Sequence, residues 1–351
     1  MSRFLSSRLS RLGTYVPGEQ PQDRQYIKLN TNESPYPPAP LTEEKVREAL
    51  WQLHLYPDPD CRALTKALAE YNAVLPEQIL CANGSDDILS YIFLAFGDAK
   101  RGFSFPDITY GFYQVYGDFY GVPYRKIPLR EDFSLAPEDY FALDSGIILA
   151  NPNAQTGLAL ELKQIAAIAE KNPDQLVVVD EAYVDFGGES AAALLPEYDN
   201  ILVVRTFSKS RSLAGGRLGY AIAGKELIVD LNTVKYSINP YNVNRMTQAA
   251  GIAALQEDGY YVDCCKRIMS TRESTKKALQ ALGMEVTDSK ANFLLAHHAS
   301  IKGEALYRSL KERGILVRHF KDQRIRDWIR ISIGTEKQMA RLVAEIGAIL
   351  E

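Results

Sequence analysis

The sequence predicts an α/β protein: a large domain with a mostly parallel, doubly wound sheet, and a smaller α+β domain. Two observations support this. From about residue 77 onward, short runs of nearly continuous Val, Ile, Leu and Ala alternate with helical patterns, as in parallel strands buried on both faces. After about residue 265, a smaller unit of mixed strands and helices follows. The 351 residues provide enough chain for two domains.

The large domain is predicted from five buried strands and the helices between them. The strand segments are "QILCAN", "GIILA", "QLVVVD", "NILVVRTF" and "RLGYAIAG". Between two of them, "LELKQIAAIAEK" places Leu162, Ile165 and Ala169 on one helical stripe. Strand, helix and strand at this spacing predict right-handed crossovers and a sheet covered on both faces.

The small domain is predicted from three strands, "ANFLLAH", "GILVRHF" and "WIRISIG", and two helices. The helix "GEALYRSLKERG" ends at Gly314, and the last helix begins at a capping box from Thr335 to Gln338. The proline-rich stretch 30–60 is predicted to run extended over the surface. We therefore expect an N-terminal arm (residues 1–29) that packs with the small domain, a large domain (30–265) and a small domain (266–351).

Composition excludes several classes of function. The net charge is −4, from 40 Lys and Arg against 44 Asp and Glu, so we expect no nucleic-acid partner. The apolar runs, such as "SYIFLAF", are too short to span a bilayer, so we expect no membrane association. The four cysteines form no CxxC pair and no histidine has metal-ligand spacing, which predicts no metal site and a reducing, cytoplasmic location.

The first segment, "MSRFLSSRLSRLG", has two interpretations. It is rich in Arg and Ser and has no acidic residue, which is typical of an organelle transit peptide. The alternative is an amphipathic arm of the mature protein. We favour the arm, because Tyr15, which follows almost directly, is assigned to the substrate site below.

Polar residues follow four of the predicted strands, at 83–86, 151–153, 180–183 and 206–209. In "CANGSDDIL", Ser85 can cap a helix whose first N–H groups would bind an anion such as phosphate. Such junctions are common, and Asp86 and Asp87 argue against an anion unless their side chains turn outward. No Walker or Rossmann phosphate motif occurs in the sequence.

Asp180 ends the segment "QLVVVD", where open α/β sheets bind ligands. It could instead cap a helix, but "EAYVDFGG" is a poor helix. "ANPNAQTG" by itself indicates only a turn, and Lys209 by itself would be a surface lysine. Together the four clusters bring an amine, a carboxylate, an amide and a phenol to one crevice, beside an anion site that Arg217 completes. An aldehyde cofactor with a phosphate and a basic ring nitrogen would use each of these groups.

This set of groups resembles the fold-type-I aminotransferases that use pyridoxal 5′-phosphate, and among them the histidinol-phosphate aminotransferases. The resemblance extends over nearly the whole chain. The segments that carry it, in the family's order, are "LNTNESPYPPAP", "LYPDPD", "NGSDD", "PDITYGFY", "NPNAQTG", "DEAYVDF", "RTFSKSRSLAGGRLGY", "NPYNVN" and "IRISIGT".

The resemblance implies catalytic roles for Lys209, Asp180 and Tyr183. Lys209 would bind the cofactor covalently and later act as the base. Asp180 would pair with the ring nitrogen, and Tyr183 would hydrogen-bond the phenolic oxygen. The other cofactor contacts that the resemblance implies are Tyr110 on the ring, the phosphate ligands Ser85, Asp86 (through its N–H), Thr206, Ser208 and Arg217, and Tyr56 from the second subunit of a homodimer with shared active sites.

The sequence departs from the family at one position. The family commonly reads N-P-N-N-P-T-G, and its second asparagine contacts the phenolic oxygen. Here that residue is Ala154, followed by Gln155 in place of proline. Either Asn153 takes over this contact or Tyr183 acts with less help.

For the substrate, the resemblance implies contacts from Tyr15, Asn292, Arg318 and Arg330, of which the two arginines suit a phosphate. Both arginines could instead face solvent. The function implied is transfer of an amino group between histidinol phosphate and 2-oxoglutarate. The alternatives are an aromatic amino acid aminotransferase or a threonine-phosphate decarboxylase on the same fold, or a non-catalytic binding or regulatory protein.

Overall fold

A computed structural model of the chain describes residues 2–6, 9, 12–13 and 15–351. Within these residues, thirteen strands form a large seven-stranded sheet, a small four-stranded antiparallel sheet and one parallel pair. The strands are β1 (Ile27–Lys28), β2 (Ile79–Ala82), β3 (Phe103–Pro106), β4 (Tyr124–Ile127), β5 (Gly146–Ala150), β6 (Val177–Asp180), β7 (Ile201–Thr206), β8 (Gly219–Ala223), β9 (Glu285–Val286), β10 (Phe293–His297), β11 (Ile315–Leu316), β12 (Arg318–His319) and β13 (Trp328–Ser332).

The large sheet has the order β2-β8-β7-β6-β5-β3-β4. The pairs from β7 through β6, β5 and β3 to β4 are parallel, which confirms the predicted fold class. β8 runs antiparallel to both of its neighbours, because loop 207–218 returns the chain from β7 without a helical crossover. All five predicted strands are present, whereas β3 and β4 were not predicted.

Both faces of the large sheet are buried, which explains the continuous apolar runs. Along β6, Val177 and Val179 belong to the hydrophobic core on one face, and Val178 belongs to the core on the other. Helices cover these faces.

The described part of the chain has ten α-helices: α1 (Pro40–Leu50), α2 (Arg62–Asn72), α3 (Ser85–Phe96), α4 (Phe112–Tyr120), α5 (Leu162–Glu170), α6 (Lys225–Ile238), α7 (Arg245–Gln256), α8 (Asp258–Ala281), α9 (Gly303–Glu312) and α10 (Glu336–Leu350).

The small sheet has the order β12-β13-β10-β9, and α9 and α10 accompany it in sequence. The segment "GILVRHF", predicted as one strand, is divided between two sheets. Its first part, β11, pairs with β1 of the N-terminal arm, and its second part, β12, pairs with β13. This second pairing places Arg318 directly opposite Arg330.

The prediction that residues 30–60 run extended is wrong for Pro40–Leu50, which form α1. Pro40 begins this helix because a first-turn residue needs no N–H hydrogen bond and the fixed φ of proline suits that position. Thr42 is buried, and its hydroxyl lies 3.1 Å from that of Tyr261. Packing of one face of α1 therefore overrides the proline-rich composition.

The N-terminal arm contacts the small sheet region. β1 pairs with β11, and the Arg24 guanidinium donates to the carbonyl oxygens of Lys311 and Glu312 at the end of α9. The domain limits at 29 and 265 stay a prediction, and the second falls within α8. No helix in the described residues is both long enough and apolar enough to cross a membrane.

Candidate active site

The carboxyl ends of β5, β6 and β7 open into a cavity of about 270 Å³, here called the inner cavity. It lies at the edge of the parallel sheet where the sequence placed the polar clusters. The predicted cofactor residues that line it are Ser85, Asp86, Tyr110, Asp180, Tyr183, Thr206, Ser208, Lys209 and Arg217.

Asp180 is the buried carboxylate of the inner cavity. The Tyr113 hydroxyl donates to its Oδ2 at 2.7 Å, and the Ala182 N–H donates to its Oδ1 at 3.3 Å. Burial raises the pKa of Asp180 to about 6, although the Tyr113 hydrogen bond opposes this shift. A cation placed against Asp180 would lower this pKa again and favour the carboxylate form. Tyr113 was not predicted, although it lies in the first turn of α4 and in the quoted segment "PDITYGFY".

Lys209 enters the cavity from the loop that follows β7. Its Nζ donates to the carbonyl oxygen of Thr31 at 3.3 Å and lies 5.8 Å from the centroid of the Tyr183 ring. The amine thus lies beside the phenol, with a main-chain oxygen as its hydrogen-bond partner. A neutral amine in this position can act as a nucleophile toward a carbonyl group.

The geometry at the start of α3 suits an anion. Gly84 precedes the helix with a φ of +87°, and a Cβ added there would lie 2.7 Å from Nη2 of Arg217. A Cβ added to Gly219 would lie 2.4 Å from the main-chain nitrogen of Ser85. The two glycines therefore allow Arg217 and β8 to approach the first turn of α3, whose N–H groups have no partner within the helix.

The side chains of Asp86 and Asp87, in the first turn of α3, point in different directions. Asp86 faces the cavity, where its carboxylate accepts from the Tyr110 hydroxyl at 2.8 Å and from Nη2 of Arg217 at 2.9 Å. Asp87 instead accepts from the Asn83 N–H and from the Asn242 amide. Only Asp87 turns outward, so an anion at the start of α3 would compete with Asp86 for Arg217.

Two of the predicted cofactor residues do not line the inner cavity. Asn153 is buried in a turn: its amide donates to the Ile108 carbonyl, and its Oδ1 accepts from the N–H groups of Gln155 and Thr156. These bonds direct its side chain to the main chain and away from Tyr183. Tyr56 is 78% exposed and stacks on Tyr241 with ring centroids 4.7 Å apart.

The amide that does reach Tyr183 belongs to Asn32. Its Nδ2 donates to the Tyr183 hydroxyl at 3.0 Å. Asn32 lies in the segment "LNTNESPYPPAP", which was recognised as a family segment, but nothing in the sequence relates it to Tyr183.

A second cavity of about 530 Å³, the outer cavity, continues from the inner one past Tyr110, Tyr183 and Lys209. The N-terminal arm, the small sheet and α4 contribute to its walls. Of the predicted substrate residues, those that line it are Tyr15, Arg318 and Arg330. Asn292 lies behind this wall, where its amide donates to the Asn32 carbonyl.

The two arginines of the outer cavity lie side by side on paired strands. Arg318 donates to the carbonyl oxygens of Val16 and Pro17 in the arm. Nη1 of Arg330 donates to the Ala154 carbonyl at 2.9 Å and to Oε1 of Gln155 at 3.1 Å. The buried Nε of Arg330 has no hydrogen-bond partner among the described residues.

Burial lowers the pKa of Arg330 from its ordinary value. Like charges directly opposite each other on antiparallel strands are destabilising, and here Arg318 faces Arg330. An anion with several oxygen atoms would both relieve this repulsion and satisfy the unpaired donor.

A comparison with family models identifies the chain. The model "Aminotransferase class I and II" matches residues 24–346. The chain belongs to this family.

Curated relatives of this aminotransferase match it from end to end. The histidinol-phosphate aminotransferase of Brachyspira hyodysenteriae is 47% identical and covers 100% of both chains. That of Chromohalobacter salexigens is 48% identical and covers 99% of both. Among solved structures, the histidinol-phosphate aminotransferase of Sinorhizobium meliloti in complex with pyridoxal-5′-phosphate has a TM-score of 0.89 at 24% identity, covering 100% of this chain and 98% of that one. The aminotransferase is a pyridoxal-phosphate-dependent enzyme.

Proposed function

We propose that this aminotransferase transfers the amino group of L-histidinol phosphate to 2-oxoglutarate, giving imidazole-acetol phosphate and glutamate in histidine biosynthesis. The observation that supports this substrate best is the pair of adjacent arginines, Arg318 and Arg330, in a cavity that opens onto Lys209. The names of the full-length relatives agree with it.

The residues of the inner cavity fit pyridoxal 5′-phosphate. The glycine-lined start of α3 suits the phosphate, which Ser85, Asp86 (through its N–H), Thr206, Ser208 and Arg217 would hold. The buried Asp180 suits the ring nitrogen, Tyr183 the phenolic oxygen and Tyr110 the ring face. When bound, the cofactor supplies a carbonyl group that reacts with amines and a ring that accepts electrons from the substrate carbon.

Three side chains would carry the chemistry. Lys209 would bind the cofactor and, as a free amine, would act as the base that takes the proton from the substrate carbon bearing the amino group. Asp180 would pair with the ring nitrogen and favour its protonated form. Tyr183 would donate its proton to the phenolic oxygen. Burial of the Asp180 carboxylate would strengthen its interaction with the ring nitrogen, since little water competes for it.

The substrate's phosphate would lie between Arg318 and Arg330, with Tyr15 on the arm closing that side. The Tyr15 ring stacks on Phe112 at 4.3 Å between centroids, which holds it over the outer cavity. Asn292 would act on the substrate only through Asn32, because it lies behind the cavity wall.

The test is a substrate panel measured as kcat/KM. Histidinol phosphate should exceed histidinol by on the order of a hundredfold, because a buried guanidinium without its anion keeps a desolvation penalty of roughly a few kcal/mol. Arg330→Met should remove most of this preference and leave the cofactor's absorption unchanged.

Other outcomes of the panel would overturn this substrate. Phenylalanine or tyrosine rivalling histidinol phosphate would indicate an aromatic aminotransferase. Release of CO₂ from threonine phosphate would indicate the decarboxylase, and no turnover of any substrate would indicate a binding protein.

We further infer that the enzyme is a homodimer with shared active sites. Tyr56 does not line the inner cavity of its own chain and is mostly exposed. It lies within a run of exposed apolar side chains, which suits an interface with a second copy. The exposed members of this run are Leu50, Trp51, Leu53, Leu55 and Tyr56. In the dimer, Tyr56 would contact the phosphate in the partner's site.

This arrangement predicts complementation. Tyr56→Phe and Lys209→Ala should each be impaired, and subunit exchange between them should restore part of the activity. Each mixed dimer would then contain one site with both native residues. Mixed dimers without any recovery would contradict the shared site.

A further inference from the structure

Asn32 joins the N-terminal segment, the inner cavity and the small sheet. It is 1% exposed, and its Nδ2 donates to the Tyr183 hydroxyl at 3.0 Å. On its other side, the Ser332 hydroxyl accepts from the Asn32 N–H at 2.8 Å and donates to its Oδ1 at 2.9 Å. Asn32 therefore lines the outer cavity and reaches the inner one through its contact with Tyr183.

These bonds fix the direction of every proton in the chain of groups. Ser332 gives its single hydroxyl proton to Oδ1, so the amide must turn its N–H₂ toward Tyr183. The Tyr183 oxygen accepts this N–H, and its own single proton remains for a group in the cavity. Neither Asn32 nor Ser332 accepts the hydroxyl proton of Tyr183 in this arrangement.

We propose that Asn32 is a positioning residue for Tyr183: its amide occupies the acceptor side of the hydroxyl and directs the tyrosine's proton to the cofactor's phenolic oxygen. This proposal rests on the cofactor placement given above. Asn32 would then supply an amide to Tyr183 in a chain that has Ala154, which carries no amide, at the position of the family's second asparagine.

The proposal also connects cofactor and substrate. Ser332 lies two residues from Arg330 on β13, so both side chains lie on the same face of that strand. A change in the position of β13 would therefore reach Tyr183 through Ser332 and Asn32.

The test uses two variants chosen for the backbone at this position. Asn32 has a φ of +55°, which Asp and Gly tolerate better than Ala does. Asn32→Asp keeps the shape, but an ionised carboxylate only accepts, so it draws the tyrosine's proton away from the cavity. Asn32→Gly removes the side chain altogether.

The first readout is the pH midpoint of the cofactor's visible absorption in substrate-free enzyme. In Asn32→Asp, losing the donor to the phenolic oxygen should raise this midpoint by about one pH unit, the size of one hydrogen bond to a charged group. Asn32→Gly should raise it by less, because the hydroxyl keeps its proton but is no longer held in direction. Ser332→Ala should shift it in the same direction by less. The second readout is turnover: kcat should fall about tenfold, with a smaller change in KM.

A double-mutant cycle separates positioning from general structural damage. In the Tyr183→Phe background, Asn32→Asp should shift the midpoint no further, because the hydroxyl on which it acts is gone. Additive shifts, or an unchanged midpoint in Asn32→Asp, would overturn the proposal. If Asn32→Asp does not fold, Asn32→Gly and Ser332→Ala carry the same comparison. Because the absorption is measured without substrate, an enzyme that ignores histidinol phosphate would overturn the proposed substrate and not this assignment.

Discussion

Two groups of charged side chains lie next to each other in this molecule and are built differently. They meet at the end of β6, where Asp180 belongs to the first group, the cavity cluster, and the next residue, Glu181, belongs to the second, the buried cluster. The cavity cluster consists of Asp86, Asp180, Lys209 and Arg217. The buried cluster consists of Glu181, Asp185, Arg205 and Ser210.

In the buried cluster, two carboxylates share one guanidinium, and every side chain has a polar partner. Arg205 donates to Asp185 and lies 3.8 Å from Glu181, and Ser210 also donates to Asp185. Although burial opposes it, the pKa of Asp185 is lowered because Arg205 lies against it, whereas burial raises the pKa of Glu181 to about 7. Glu181 further accepts from the Ser190 hydroxyl and from a main-chain N–H.

In the cavity cluster, pairing is incomplete. Lys209 contacts a main-chain oxygen, and Asp180 is buried with neutral donors, which keeps its pKa at about 6. The side chain of Arg217 is 43% exposed, against 10% for that of Arg205. The same residue types thus stabilise the fold where they are paired, and remain available to a ligand where they are not.

The largest effect should come from breaking the buried cluster. Arg205→Met leaves Asp185 and Glu181 without their cation and should lower the free energy of unfolding by about 3–5 kcal/mol. The matched variant, Arg217→Met, breaks a partly exposed pair and should cost at most about 1 kcal/mol. Urea unfolding of both variants measures this difference. Equal losses would mean that the two clusters do not differ in this way.

The next effect concerns the cavity cluster. Asp180→Asn should retain the cofactor but lose about two to three orders of magnitude in kcat, because an amide cannot keep the ring nitrogen protonated. Steady-state kinetics and cofactor absorption measure both properties. Turnover like that of the wild type would remove Asp180 from the mechanism.

The smallest effect is a pH dependence of stability in cofactor-free enzyme. The pKa of Asp180 is about 6 in the folded protein, against about 3.9 for an unperturbed Asp in the unfolded chain, so between these values the folded state holds more protons. Its contribution to stability is therefore greatest below the lower value and is lost as pH rises through the upper one. Relative to Asp180→Asn, the wild type should lose up to about 3 kcal/mol over this range.

Thermal unfolding of both proteins from about pH 3 to 7 gives the comparison. The Asn variant should gain stability relative to the wild type as pH rises. A difference that does not change with pH would show that the Asp180 carboxyl is not destabilised by its burial.

Much of the fold and of the inner cavity could be predicted, because the signal is local. Strands buried on both faces appear in the sequence as apolar runs. The residues that follow such runs lie together at the carboxyl edge of a parallel sheet. β3 and β4 were missed because polar side chains, such as Ser104 and Arg125, interrupt their apolar runs.

The partners of the predicted residues could not be predicted, because they are distant in sequence. Asn32 lies 151 residues from Tyr183, and Tyr113 lies 67 residues from Asp180. Asn153 shows the opposite case: sequence places it at the sheet edge but does not decide between the cavity and its own turn. In the structure, the main-chain N–H groups of that turn donate to the side-chain oxygen of Asn153.

The placement of Asp180 next to Glu181 also limits how this gene can change. Because successive side chains of a strand point to opposite faces, deleting one residue from Val177–Val179 would bring Glu181 to the position of Asp180 and remove a carboxylate from Arg205. A single deletion would thus damage catalysis and folding at once, whereas exchange of one of the three buried valines for an apolar residue of similar volume would damage neither. We expect natural variation in this segment to change its residues and to preserve its length.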